Sequence, residues 1–436
     1  MAYVTQTQKG EERNRLYLED LPVHEWYRFV LSFPPHLVRT YIERFGLSGE
    51  HWVFDPFCGT GTTLVECKKL GIPSIGLEAN PVVHFAAQVK TNWRVDPEAL
   101  KAHAQEVAEA AHAVMMAESV EDEPFFQSLD AKLPARLRTL DAEQQRLLIK
   151  DSISPRPLHK TLVLLEQLTK MYDGHAMKYE RLALAKQLVY SISNLRFGPE
   201  IGVGRVKEDA PVIGPWLRGV QSMADDLNLV RDRRDIPVIV HHADARQVYE
   251  VVAPASVDAV ITSPPYPNEK DYSRTTRLES VLLGFMRTRK DLRRHKQRLL
   301  RSNTRGVYKT DEDDLWIADY PRVNRLAEAI EARRLELGKT SGFEKLYARV
   351  VKLYFGGMAR HLEALKPLLK PGAQLAYVVG DQASFFRIPI RTGEILAEIA
   401  ERLGYEVTDI DLFRTRFSTA TQEQLREEVV LLRWNA

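Results

Sequence analysis

One short segment constrains the fold more than any other: an apolar strand that runs through Asp-Pro into a glycine turn. The strand Trp52-Val53-Phe54 leads through Asp55-Pro56 into the turn 59–63, and helical spacing follows from Leu64 to Leu70. The run 74–78 then reads as a second strand closed by an acidic residue. Strand, glycine turn, helix, strand and acid form the first unit of a doubly wound α/β nucleotide-binding sheet.

The glycine turn has the chemistry of a ligand site. Gly59 and Gly61 allow the backbone to approach a ligand closely, and the start of the following helix favours a negative group such as a carboxylate. Two threonines and the lack of a third glycine separate the turn from the NAD fingerprint. Glu78 follows about 20 residues after the turn, where an acid can bind both ribose hydroxyls. The alternative is a purely structural turn without a ligand.

A second segment has the features of a catalytic loop. The apolar strand Val257–Thr262 runs directly into Ser263-Pro264-Pro265-Tyr266. The amino group of cytosine or adenine is a poor nucleophile because its lone pair is delocalised, so a catalyst needs rigidly held hydrogen-bond acceptors and an aromatic face. The Ser263 hydroxyl and the Pro264 carbonyl can accept, prolines fix φ, and Tyr266 can stack on a base taken out of a duplex. In isolation, the same four residues would also fit a simple turn or a proline-rich ligand.

The remaining pattern predicts one catalytic domain with two insertions. Residues 1–94 and 236–436 carry the strand signals of the two halves of the sheet, and 95–235 has helical periodicity. We expect 95–235 to be a helical insertion and a candidate target-recognition region. A charged, largely helical second insertion is predicted at about 287–340. The terminal strands are predicted at 405–413 and 427–434, with a polar loop between them.

Basic residues are concentrated rather than abundant. The net charge is only +2, but Arg287 to Lys309 holds ten Lys or Arg and one acid, Asp291. A solvated helix face and a phosphate-binding surface both fit this run. The tract 268–277, after the catalytic loop, fits either substrate contact or a plain helix start, and the glycine loop 194–206 either reaches the active site or DNA or lies on the surface. The candidate DNA-binding side chains are Lys270, Arg274, Arg277, Arg293, Arg294, Lys296, Arg298 and Arg301.

The two motifs together resemble the amino-methyltransferase family of bacterial DNA. Its cofactor motif reads Asp-Pro-Phe-x-Gly-x-Gly-Thr and its catalytic motif (Asp/Asn/Ser)-Pro-Pro-(Tyr/Phe), as in 55–62 and 263–266 here. In that family serine is typical of cytosine-N4 enzymes, and Asp or Asn of adenine-N6 enzymes. The resemblance covers about 1–94 and 236–436. It implies a class I methyltransferase fold with a mostly parallel sheet and a reversed terminal hairpin, S-adenosylmethionine as cofactor, and double-stranded DNA as partner.

The resemblance also implies roles for individual residues. Thr62 and Thr63 are expected at the methionine carboxylate of the cofactor, Glu78 at its ribose, and Asp244 at its adenine. The segment from Phe33 to Val38 resembles the family's extra cofactor motif. The large insertion precedes Asp244, which is neither usual place for target recognition, so the position of sequence readout stays open. The expected cofactor-binding residues are Pro34, Pro35, Asp55, Phe57, Cys58, Gly59, Gly61, Thr62, Thr63, Glu78 and Asp244.

Other readings are constrained by composition. Cys58 and Cys67 are the only cysteines, so neither a disulfide framework nor a metal site is expected. The sequence contains no apolar run of about 18 residues, so we expect no membrane span. Met1 to Asn14 lacks the apolar core of a signal peptide, so we expect a cytoplasmic protein. A cognate restriction endonuclease or defence system is a further candidate partner. The alternatives are an adenine-N6 DNA methyltransferase, an RNA guanine-N2 methyltransferase, and a non-catalytic DNA-binding subunit.

Overall fold

The computed structural model describes residues 16–28, 32–123, 136–197, 200–268, 270–418 and 422–436. Its centre is a seven-stranded sheet with the order β5-β2-β1-β6-β7-β9-β8. The pairs from β5 to β7 are parallel, whereas β9 is antiparallel to both β7 and β8. The expected class I methyltransferase sheet with a reversed terminal hairpin is confirmed. The strands are β1 (Val53–Asp55), β2 (Ser74–Leu77), β3 (Leu195–Phe197), β4 (Ile201–Val203), β5 (Val238–His241), β6 (Val257–Thr262), β7 (Leu369–Gly380), β8 (Glu406–Ser418) and β9 (Glu423–Trp434).

Fifteen α-helices are found in the described residues, and seven of them, α5 to α9, α12 and α13, belong to the two insertions. A π-helical turn, Leu188–Ile192, follows α8. The helices are α1 (Leu21–His24), α2 (Pro35–Arg44), α3 (Thr62–Lys69), α4 (Pro81–Thr91), α5 (Pro97–Ala117), α6 (Ala142–Leu147), α7 (Pro155–Lys170), α8 (Ala176–Gln187), α9 (Ile213–Leu229), α10 (Tyr272–Thr275), α11 (Arg277–Leu282), α12 (Arg289–Arg298), α13 (Pro321–Glu336), α14 (Tyr347–Leu365) and α15 (Thr392–Arg402).

Both faces of the sheet are covered, which is why its central strands are continuous apolar runs. Because successive side chains of a strand point to opposite faces, Val53 packs in the cluster that contains α2, and Phe54 in the cluster that contains α14 and α15. Ile261 and Val260 on β6 divide in the same way. The sheet is therefore a two-faced core layer.

The first insertion has its own core. Helices α5, α7, α8 and α9 enclose Trp216 and Tyr179, both fully buried, in a cluster that continues through α4 to α11. The segment predicted as a glycine loop at 194–206 differs from that prediction: β3 and β4 pair antiparallel in a small separate hairpin. Residues 198–199 of this segment lie outside the described residues.

The polar loop predicted at 414–425 is also wrong for most of its length. Strand β8 continues to Ser418 and β9 starts at Glu423, with Arg414 opposite Glu427 in the register. The two side chains form an ion pair with a closest distance of 2.5 Å. Since β8 is an edge strand, polar residues can pair there without being buried on both faces, so polarity alone does not mark a loop.

Candidate active site

A cavity of about 800 Å³ opens at the carboxyl ends of the parallel strands. It lies where β1 and β6 meet, which is the point at which the strand order reverses and where doubly wound sheets bind ligands. All four residues of the predicted catalytic loop line it. So do six of the predicted cofactor residues: Phe57, Cys58, Gly59, Thr62, Glu78 and Asp244.

Two residues of the glycine turn have a left-handed backbone conformation, which glycine adopts more easily than other residues. Gly59 and Gly61 have φ of +53° and +86°, in the left-handed region. Gly61 is the residue before α3, and its amide donates to the Cys58 carbonyl over 2.7 Å. A Cβ at Gly61 would touch Ala87 on α4 at 3.4 Å, and Gly61 does not line the cavity. Its role is to turn the chain and to allow α4 to pack closely.

Asp55 and Thr63 join the glycine turn to the catalytic strand instead of lining the cavity. The Asp55 carboxylate accepts from the Thr262 hydroxyl at 2.6 Å and from the Phe57 amide at 3.1 Å. The Thr63 hydroxyl donates to the Ile261 carbonyl at 3.1 Å. Burial raises the pKa of Asp55 to about 6, although these hydrogen bonds oppose the shift. The ends of β1 and β6, and the loops that follow them, are thereby held in fixed relation.

Glu78 presents a carboxylate to the cavity at the end of β2. Its Oε1 accepts the Asn80 amide at 2.6 Å, and Asn80 in turn accepts from Val82 N, which caps α4. Burial is the main reason that its pKa rises to about 7. Asn80 also lines the cavity and donates to the Thr276 hydroxyl. Asn80 was missed from the sequence, although Asn before Pro is a recognisable helix start.

Asp244 is held by a buried arginine that the sequence did not single out. The Arg246 backbone amide and Nε both donate to Asp244 Oδ1 at 2.9 Å, and Nη2 donates to Oδ2 at 2.6 Å. The other side of the guanidinium pairs with Asp313 in the second insertion, which Arg360 also contacts. Most of the acceptor capacity of Asp244 is therefore used inside the protein, and Arg246 fixes the orientation of the carboxylate.

The second insertion is docked against the fold through two glycines of α14. A Cβ at Gly356 would lie 1.8 Å from the carbonyl oxygen of Asp313, and one at Gly357 would lie 2.4 Å from Leu300. Leu299 and Leu300 line the cavity next to Asp244. The insertion thus supplies one wall of the site.

His361 is a further residue that was missed. It is fully buried on α14, where Nδ1 lies 2.7 Å from the Ala245 carbonyl and Nε2 lies 2.8 Å from the Tyr377 hydroxyl. Its ring contacts Phe57 edge-on, with centroids 5.0 Å apart. Burial lowers the pKa of His361 to about 4, so the ring is neutral at pH 7. It supports two walls of the cavity, Phe57 and Ala245.

The catalytic loop is fixed by contacts with β7. Ser263 Oγ lies 3.1 Å from the Val378 carbonyl oxygen. Because a carbonyl can only accept, the serine hydroxyl donates, and its oxygen keeps lone pairs for another donor. The ring of Tyr266 lies so close to Gly380 that a Cβ there would be 3.0 Å from Cε2. Burial raises the pKa of Tyr266, so the phenol is neutral.

The predicted residues Pro34 and Pro35 contribute to the cavity only through the residues that precede them. Pro34 precedes α2 and Pro35 begins it, and neither lines the cavity. Ser32 and Phe33, just before them, are in the cavity wall. Proline at the helix start fixes the direction from which these two residues arrive.

The predicted DNA-binding side chains divide into three groups. Arg277, Lys296 and Arg301 have structural partners: Arg277 donates to the Leu147 carbonyl, Lys296 pairs with Asp271 at 2.9 Å, and the buried Arg301 pairs with Asp311 at 2.8 Å. Each of these three cations is therefore neutralised or hydrogen-bonded within the fold, and its contact with phosphate stays a prediction. Lys270 and Arg298 line the cavity. Arg293, Arg294 and Arg298 are exposed on α12, and Arg274 is half-buried.

The mouth of the cavity is formed by inserted and terminal segments. Glu200, beside β4, lines the cavity and pairs with Arg305 of the second insertion at 3.7 Å. Arg414, Arg416 and Glu427 of the β8–β9 hairpin line the opposite part. Arg416 donates to Gln382 Oε1, another wall residue, at 3.2 Å.

The residues present fit S-adenosylmethionine. Its sulfonium and methyl group need a dry wall, its ribose an acid, and its carboxylate free backbone donors; Phe57, Glu78 and the turn before α3 have these properties. In the described part of the chain, no group of three His, Cys, Asp or Glu side chains is placed to hold a metal ion. No helix among those residues has the length and apolar content needed to span a membrane.

The fold and this site define an S-adenosylmethionine-dependent methyltransferase. Residues 3–88 match the N6/N4 family model described as DNA methylase. The type II methyltransferase M.BsoBI of Geobacillus stearothermophilus is 25% identical over 94% of this chain and 84% of its own length. M.AvaI of Nostoc sp. is 22% identical over 92% and 83%. Over most of its length, the chain is therefore similar to DNA methyltransferases of this kind.

A comparison with solved structures adds no functional argument. The rRNA methyltransferase aviRa from Streptomyces viridochromogenes aligns with 99% of this chain and 95% of its own at 10% identity. The TM-score is 0.34, and nothing about this chain follows from so low a score.

Proposed function

We propose that this chain methylates the N4 amino group of cytosine in double-stranded DNA. The observation that carries the proposal is Ser263, whose hydroxyl donates to the Val378 carbonyl at 3.1 Å, so that its oxygen, which also hydrogen-bonds with Tyr266, keeps a lone pair as an acceptor in the cavity. Serine at this position is the residue type that the resemblance associates with cytosine. As further support, relatives over more than nine-tenths of the chain are named type II methyltransferases.

In the proposed mechanism the target base leaves the duplex and stacks on Tyr266. Ser263 Oγ and the Pro264 carbonyl accept hydrogen bonds from the two N–H groups of the exocyclic amine. These bonds bring the lone pair of the amine nitrogen out of conjugation with the ring. S-Adenosylmethionine supplies an electrophilic methyl group on a sulfonium. When bound by Phe57, Glu78 and the glycine turn, it would supply that methyl group to the amine that Ser263 and Pro264 hold, and the amine would release one proton to solvent. Gly380 allows Tyr266 to keep its position at the wall.

The cofactor residues have distinct proposed tasks. Phe57, Cys58, Gly59 and Thr62 contact the methionine end, and Glu78 binds the ribose hydroxyls. Asp244, oriented by Arg246, contacts the adenine. Asp55, Gly61, Thr63, Pro34 and Pro35 act indirectly, through the positions of the loops they hold. A cognate restriction endonuclease is a proposed cellular partner.

The test is to express the chain in cells that lack DNA methylation, then sequence the methylome and digest the DNA for nucleoside mass spectrometry. We expect N4-methylcytosine at one sequence, and none from Ser263→Ala. Ser256→Ala is the matched control, since Ser256 also donates to a backbone carbonyl, at the other end of β6, and lies outside the cavity. N6-methyladenine alone would overturn the choice of cytosine. Unmodified DNA with an intact, cofactor-binding protein would overturn the proposed function.

A further inference from the structure

The β3–β4 hairpin is the element of the first insertion that reaches the cavity. It is not part of the seven-stranded sheet, and Glu200 beside it contributes to the cavity wall. The Glu200–Arg305 pair joins the hairpin to the second insertion, the insertion that carries α12 with exposed Arg293, Arg294 and Arg298. The hairpin therefore lies beside the cavity, at the edge that also carries the second insertion.

The base of the hairpin is firmly anchored. Asn194 is buried, its Nδ2 donates to Asp151 O and Ser154 Oγ, each at 3.0 Å, and its Oδ1 accepts the Lys207 amide at 2.9 Å. Lys207 Nζ donates to the carbonyls of Ser191 and Ser193 at 2.6 and 2.8 Å. This bonding fixes the position of the hairpin relative to the helical core.

One face of the hairpin is shaped for close approach of another molecule. Leu195 and Phe197 pack against the helical core. On the other face Arg196 is opposite Gly202, and a Cβ at Gly204 would be 3.3 Å from Arg196 Cβ. A Cβ at Gly202 would meet no atom within 4 Å. Glycine inside a strand is typical of a place where a ligand or another backbone comes close.

The charge on this face suits a polyanion. The side chain of Arg196 is exposed and forms no hydrogen bond or ion pair with the residues that the structure describes, and the same holds for Arg205, which follows β4. The acidic charge of Glu200 is offset by Arg305. A two-stranded β-ribbon is narrow enough to enter the major groove of DNA, and unpaired arginines contact phosphates or base edges.

We propose that the face of the β3–β4 hairpin that carries the cross-strand pair of Arg196 and Gly202 packs directly on duplex DNA beside the nucleotide that enters the cavity. The proposal rests on the proposed function and adds to it the surface by which the first insertion holds the substrate. It predicts two separable effects: bulk at Gly202 blocks the approach, and loss of Arg196 removes one ionic contact.

The experiment compares Gly202→Val and Arg196→Ala with the unaltered protein, using tritium transfer from labelled S-adenosylmethionine to unmethylated genomic DNA. We expect Gly202→Val to raise the KM for DNA at least about tenfold with kcat within about twofold, because a Cβ at this position meets no protein atom and the added side chain lies on the face proposed to meet DNA. Arg196→Ala should reduce the slope of log affinity against log salt by about one, measured by fluorescence anisotropy on a 30-base-pair duplex.

Two controls separate the outcomes. Arg231→Ala removes an exposed arginine that precedes β5, on the side of the sheet where the parallel strands begin. The cavity lies at the other ends of these strands, so the change should leave the KM and the salt slope unchanged. Calorimetry of S-adenosylmethionine binding and circular dichroism test whether Gly202→Val is folded. A folded Gly202→Val protein with unchanged KM, or an unchanged salt slope for Arg196→Ala, would overturn the hairpin proposal alone. If the unaltered protein transferred no methyl group to DNA while it transferred one to RNA, the proposed function would fail as well.

Discussion

The affinity for S-adenosylmethionine should depend on pH through Glu78. This carboxylate lines the cavity, and burial raises its pKa to about 7. A ribose hydroxyl donates its proton, so the ionised carboxylate is the form that binds, and the affinity scales with the ionised fraction. From pH 8 to pH 6 that fraction falls from about nine-tenths to about one-tenth. The expected loss of affinity is therefore about tenfold, or about 1.4 kcal/mol.

Isothermal titration calorimetry between pH 6 and pH 8.5 measures this directly. Glu78→Gln keeps an acceptor oxygen and has no titrating group, so it should bind more weakly with a nearly flat profile. Asp55, before the glycine turn, is another carboxylate whose pKa is raised, to about 6. Thr262 and Phe57 already donate to it and it lies outside the cavity, so we do not expect it to cause the pH dependence. A flat profile in the unaltered protein, or an equally steep one in Glu78→Gln, would refute the assignment of Glu78 to the ribose.

Three further predictions concern the walls and mouth of the cavity. Gly380→Val should displace the Tyr266 ring and lower kcat about 100-fold, with cofactor affinity unchanged by calorimetry; full activity would contradict the role of the contact. Arg246→Met leaves Asp244 without its cationic partner and Asp313 with Arg360 alone, and should cost about 3 to 5 kcal/mol in urea unfolding, more than the surface change Arg325→Met. Glu200→Gln removes an exposed acid from the mouth and should raise DNA affinity about two- to threefold at low salt and not at high salt, with stability unchanged.

The central fold could be predicted because its signals are local. The turn at Gly59 and Gly61 needs a left-handed backbone. The strand before it, the turn itself and the acid after it all lie within about 25 residues of one another. The strand β6 was predicted at its observed bounds, since it is an apolar run that ends at two prolines. Local polarity misled in one place: residues 414–418 pair with 423–427 as an edge ribbon, in which Arg414 forms an ion pair with Glu427 across the strands.

The site was only partly predictable, because its supporting contacts are distant in sequence. Arg246 meets Asp313 67 residues away, and His361 meets Ala245 across 116 residues. No local pattern identifies such partners. The same limitation explains the basic run: spacing alone did not show that Arg301 and Lys296 would find Asp311 and Asp271, whereas Arg293 and Arg294 would stay exposed.

These contacts differ in strength in a way that separates the chemistry from the choice of DNA. Asp55 joins the cofactor turn to the catalytic strand with buried hydrogen bonds, so the two loops move as one unit. At the mouth, the two insertions are joined by Glu200–Arg305, an exposed pair at 3.7 Å of a kind worth at most about 1 kcal/mol. Substitutions at the mouth can therefore change which DNA is bound at little cost in stability. A change at Asp55 or Thr262 would instead disturb the alignment of cofactor and base, whichever DNA was bound.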